Sequence, residues 1–146
     1  MLLEHVLSLS RVEVDAPVST KKRLLEHVAA LCAPSAHAGD FFEALLEREK
    51  LGSTSLGHGV ALPHARVDNL TEPVAVFLRL KTPIDYDSHD DKSVDLIFGL
   101  FVPQGENTTH LHLLSQVASR LNEESTRAAL RQATSNNEIW NILIEP

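Results

Sequence analysis

The stretch from Val94 to Val102 (Val-Asp-Leu-Ile-Phe-Gly-Leu-Phe-Val) is apolar everywhere except Asp95 and Gly99. A strand that buries one face alternates apolar and polar residues, whereas one that is apolar throughout needs cover on both faces. The run therefore predicts a central strand, ended by Pro103, in a sheet with helices packed above and below. A chain of 146 residues can build one core of that kind. The expected fold class is α/β: a single domain over residues 1–146, with a mixed sheet flanked by helices on both faces.

The flanking segments fit. Partial alternation through Val12 and Val14 predicts a strand after an irregular start, closed by Pro17. Ser19 or Thr20 is placed to cap a helix whose apolar side carries Leu24, Leu25, Val28, Ala29, Leu31 and Cys32. After a loop from Pro34 to Gly39, Asp40 and Glu43 have the spacing of a capping box for a second helix reaching about Lys50, with Phe41, Phe42, Leu45 and Leu46 as its buried stripe. Val60-Ala61-Leu62 and Val74 to Leu80 read as strands, and Pro83 to Asp91 as an acidic loop. Thr108 or Thr109 opens a helix to about Asn122, Ser125 to Ala133 forms another, and Ser135-x-x-Glu138 caps the last.

Charge narrows the function. Thirteen Lys and Arg against twenty Asp and Glu give −7 at pH 7, and the short cluster Lys21-Lys22-Arg23 reads as a solvated helix start. Nucleic-acid binding is not expected, because phosphate backbones require clustered cations. No apolar run nears 18 residues and the N-terminus lacks a basic region, so neither membrane insertion nor secretion is expected and the cytoplasm is the anticipated compartment. The single cysteine, Cys32, lies in an apolar stretch and reads as core.

Eight histidines raise a metal site as a possibility. His110 and His112 would share a strand face, but the series Leu111, Leu114, Ala118 and Leu121 indicates a helix, which turns them about 200° apart. His58 and His64 bring no Glu-x-x-His or cysteine pair with them, so no metal is assigned. A phosphoryl-accepting histidine fits better. A neutral imidazole attacks phosphorus and later leaves it with equal ease, in a site that holds the phosphoryl oxygens with backbone amides, hydroxyls and an arginine. Residues 51–59, before His64, hold three glycines and three hydroxyls, Arg48 lies just upstream, and a helix start near Thr109 puts a positive dipole end beside His110. By itself, a histidine after a proline is an ordinary polar loop residue.

Two blocks change that balance. Residues 48–66, Arg-Glu-Lys-Leu-Gly-Ser-Thr-Ser-Leu-Gly-His-Gly-Val-Ala-Leu-Pro-His-Ala-Arg, resemble the active-site motif of the mannitol/fructose-type IIA domains of the phosphoenolpyruvate-dependent phosphotransferase system. Residues 110–121, His-Leu-His-Leu-Leu-Ser-Gln-Val-Ala-Ser-Arg-Leu, resemble that family's second histidine region. The similarity runs from about Ser19 to Ile144 and leans to the nitrogen-regulatory branch. It implies that His64 is the phosphoryl acceptor, carrying the group as tele-phosphohistidine, and that His110 is the second active-site histidine. It also implies that Arg48 helps shape the site and that Ser53 and Thr54 fall in the loop lining it. Position 65 is Ala where the family often has Gly, and no role carries over to His58 or His112. The implied donor is a histidine phosphocarrier of the HPr or NPr type, with no metal or organic cofactor. The implied output is regulation of nitrogen and potassium metabolism through targets such as a potassium transporter or a sensor kinase. The alternative is a sugar-specific IIA component passing phosphate to a fructose- or mannitol-type IIB domain.

Overall fold

The computed structural model describes residues 3–105 and 108–145. After one 3-10 turn (Leu3–His5) come strand β1 (Leu7–Ala16), helix α1 (Lys21–Cys32), a second 3-10 turn (Ser35–His37), and helix α2 (Ala38–Lys50). Strands β2 (Ser55–Gly57), β3 (Val60–Ala61), β4 (His64–Val67), β5 (Val74–Ile84) and β6 (Val94–Pro103) follow, then helices α3 (Thr108–Leu121), α4 (Glu124–Gln132) and α5 (Asn136–Ile144). The sheet order is β1-β5-β6-β3-β2, with β4 also on β6. The pairs β1–β5, β3–β6 and β4–β6 are parallel, whereas β2–β3 and β5–β6 are antiparallel.

The apolar run of β6 is indeed central, and alternation divides the two cores. Leu96, Phe98, Leu100 and Val102 join Val117 and Leu121 of α3, Leu130 of α4 and Ile139 of α5. Ile97 and Phe101 join Leu24 and Val28 of α1 and Phe41 and Leu45 of α2. Each such large side chain taken from water contributes about 1.5–3 kcal/mol. Gly99 is what lets α1 sit close: a β-carbon there would lie 2.6 Å from Val28 Cγ1 and 2.9 Å from Val76 Cγ1. Cys32 is buried in the same core, which pushes its thiol up to about 12.

Local signals held where they were simplest. Thr20 caps α1, its side chain accepting from the Arg23 amide. Ser135 caps α5 by accepting from Glu138 N at 3.2 Å, and the Glu138 carboxylate answers on Thr134. Four expectations need correction. Helix α2 starts at Ala38, because the 3-10 turn runs straight into it; Asp40 therefore sits in the first turn, against His37 at 3.3 Å, instead of capping. Strand β5 continues through Pro83 and Ile84, so the acidic loop is shorter. Thr108 and Thr109 fall inside α3, and its cap lies outside the described residues. Of the basic cluster Lys22 and Arg23 are exposed as expected, but Lys21 is folded inward and only partly solvated: its ammonium is 3.0 Å from Glu49 and 4.4 Å over the Tyr86 ring.

Two irregularities shape the sheet. Strand β3 stops at Ala61 and β4 resumes at His64, so Leu62-Pro63 interrupts a single line of pairing on β6. In β1, Leu7 faces Ala75 and Val12 faces Phe77, so a bulge leaves the ladder between them. The Arg11 guanidinium fills the gap, donating to Ala75 O at 2.8 Å and Val6 O at 3.2 Å.

Candidate functional site

The break between β3 and β4 positions His64. Pro63 cannot donate to the ladder, and its carbonyl accepts from Leu100 N at 3.0 Å. The chain turns back so that the His64 Nδ1–H donates to Leu62 O at 2.8 Å. A carbonyl only accepts, so this bond fixes the Nδ1–H tautomer and leaves the lone pair on Nε2. His110, in the first turn of α3, stands edge-on to His64 with ring centroids 6.0 Å apart and planes at 87°. It is only 6% exposed, yet its Nδ1 has no hydrogen-bond partner among the described residues. A buried ring nitrogen left unpaired costs free energy unless a ligand completes it.

Both rings sit in an open cleft of about 590 Å³, with Arg48 of α2, Arg66 of β4 and Leu111 and Leu114 of α3 around them. Arg48 is steadied by donating to Gly52 O at 3.1 Å. Burial holds the His64 pKa below the ordinary imidazole value; Leu62 O opposes this, Arg48 adds to it, and Glu49 opposes it. His110 is lowered as well, by burial first and then by the charges of His64 and Arg66. Both rings are therefore neutral near pH 7, the form that acts as a nucleophile. Arg66 closes the 48–66 block, but the sequence alone assigned it no role. The signal was available: in a strand, residue i+2 returns to the same face, which puts Arg66 beside His64.

His64, His110 and Arg48 thus come together, whereas Ser53 and Thr54 do not line the cleft. Ser53 Oγ donates to Tyr86 O at 3.0 Å, and the buried Thr54 hydroxyl donates to Glu49 and lies 3.1 Å from the Tyr86 phenol oxygen. His112 is exposed on α3, and His58 lies at the other end of β3. Among the described residues, no group of three or more His, Cys, Asp or Glu side chains is placed to hold a metal ion. Nor, among them, is any helix long and apolar enough to cross a membrane.

Residues 5–145 match the family model for the phosphoenolpyruvate-dependent sugar phosphotransferase system, EIIA 2. The chain belongs to that family and is a phosphotransferase component working as a phosphohistidine carrier. Within the family it stands with the nitrogen-regulatory proteins. That of Escherichia coli is 43% identical over 98% of this chain and 90% of its own length. That of Pseudomonas aeruginosa is 40% identical over 98% and 95%. The crystal structure of IIA-Ntr from Neisseria meningitidis, 39% identical, superposes with a TM-score of 0.90 over 95% of this chain and 97% of that one. The E. coli IIA mannitol protein, at 22% identity and a TM-score of 0.76, shares the fold.

Proposed function

We propose that Nε2 of His64 accepts a phosphoryl group from the phosphohistidine of an HPr- or NPr-type carrier and later surrenders it. The bond from His64 Nδ1–H to Leu62 O carries this reading. It reserves Nε2 for attack, and the same carbonyl stabilises the positive charge the ring gains as the new N–P bond forms and the carrier's N–P bond breaks. Arg48 and Arg66 line the cleft with His64 and are there to meet the phosphoryl oxygens, and the His110 ring stands edge-on to His64. Leu51 and Leu111, 84% and 64% exposed, flank this cleft and supply an apolar rim for a docking carrier. The output is regulatory. A phosphoryl group adds up to about two negative charges to this small surface, enough to change which target it touches. Its targets would belong to nitrogen and potassium metabolism, such as a potassium transporter or a sensor kinase; the nitrogen-regulatory relatives support the nitrogen side.

Incubation with phosphorylated carrier gives a mass gain of one acid-labile phosphoryl group in the wild type and none in His64→Ala. Acceptance by the variant overturns the assignment. A second reading follows from the fructose-specific EIIA component of Haloferax volcanii, 32% identical over 98% of this chain and 95% of its own length. Transfer to a purified fructose-type IIB domain at a rate matching acceptance from the carrier would establish that route.

A further inference from the structure

We propose that Glu49 is a positioning residue for His64, acting through Thr54; the proposal rests on the reading of His64 as phosphoryl acceptor. The Glu49 side chain is only 6% exposed, an expensive place for a carboxylate unless it is paired. It is paired on every side. Lys21 lies 3.0 Å from Oε1, Thr54 N donates to Oε1 at 3.2 Å, and the Thr54 hydroxyl donates to Oε2. Burial, and then the Glu49 charge, raise the Tyr86 pKa, so the phenol keeps its proton and donates to Thr54 Oγ1.

The consequence reaches the active site through two backbone bonds. Thr54 O accepts from Leu62 N at 3.0 Å, and Leu62 O accepts from His64 Nδ1 at 2.8 Å. Leu62 lies where β3 has ended and β4 has not begun, so no sheet partner fixes this peptide from the β2 side except Thr54. The carboxylate holds Thr54, Thr54 holds the Leu62 peptide, and that peptide selects the His64 tautomer. A buried ion pair bridging α1 and α2 thereby sets which ring nitrogen is free to attack. It also gives Ser53 and Thr54 a task different from lining the site: they tie the loop to Tyr86 and Glu49.

Imidazole 15N shifts, recorded at a pH where the ring is neutral, report the His64 tautomer directly. Wild type is expected to show the Nδ1–H form almost alone. Glu49→Gln and Thr54→Val should admit the Nε2–H form and lower the maximal rate of phosphoryl acceptance roughly ten- to a hundredfold, as small misplacements of reacting groups do. The carrier concentration at half-maximal rate should stay unchanged, because the docking rim is untouched. Thr54→Ser, which keeps the hydroxyl, should restore both tautomer and rate. An unchanged tautomer in folded Thr54→Val, or a Thr54→Ser variant as impaired as Thr54→Val, overturns the proposal. Failure of wild type to take a phosphoryl group on His64 would instead refute the acceptor reading, while the 15N result would still judge the positioning.

Discussion

The β3–β4 line has a cleft at each end, and the two differ in how their polar groups are spent. The cleft at the His58 end encloses about 610 Å³, against about 590 Å³ at the His64 end. At the His58 end Arg131 makes a two-pronged ion pair with Asp95 and donates to His58 O at 2.7 Å, while the Asp90 carboxylate accepts from His58 N at 2.9 Å. His58 and Gly59 both take positive φ to turn the β2–β3 hairpin. At the His64 end more is left over: a His110 nitrogen unpaired among the described residues, a His64 nitrogen left free by the bond to Leu62 O, and the Arg66 guanidinium, with Arg48 spending one bond on Gly52 O. Size does not separate a site from a joint between elements; unspent hydrogen-bonding capacity in a desolvated place does.

Substitutions should break the two ends differently. The largest effect is expected from His110→Ala. It should leave His64 able to take up the phosphoryl group but slow its onward transfer about 10²-fold or more, within the range of one positioned acid–base group. Quench-flow measurement of both directions checks this, and wild-type transfer would remove His110 from the reaction. Gly59→Ala tests the other end. A β-carbon there would meet Arg131 Nη2 at 2.4 Å on a backbone of φ +81°, costing about 1–3 kcal/mol of stability. Urea unfolding should show that loss, while acceptance per folded molecule stays at the wild-type rate.

The smallest effect is in pH dependence. Both site histidines have folded pKa values below the ordinary 6.5. As pH falls through that value, the unfolded chain takes up protons that the folded chain refuses, so stability declines; above it these groups contribute nothing. The urea midpoint should therefore fall on acidification from about pH 8 to about pH 5.5, a window above the ordinary carboxylate range. The slope should be shallower in His64→Gln and His110→Gln. A slope unchanged by both variants would contradict the lowered values.

The sequence showed the central strand, five helices and the His64–His110 pair because each leaves a short-range trace: an apolar run, a helical stripe, a motif block. What it concealed depends on long-range pairing. Nothing near Lys21 tells that its ammonium crosses to Glu49 and Tyr86, so it looked as solvated as Lys22 and Arg23, which are exposed. Ser53 and Thr54 have the chemistry to hold a phosphoryl group, but burial and the partners they meet turn their hydroxyls away from the cleft. Arg66 was legible through strand alternation once β4 was known to begin at His64, and the proline beside that histidine hid the strand.

The bulge in β1 has a consequence for life in a crowded cell. An outermost strand offers a row of free amides and carbonyls on which another chain can polymerise. Here one border of the sheet is interrupted by the bulge between Leu7 and Val12, and the other is made of the three-residue β2 and the four-residue β4. Neither presents a long flat template. A carrier whose work demands repeated brief encounters through one sticky, leucine-rimmed cleft can thus keep that cleft open without inviting fibrous self-association along its sheet.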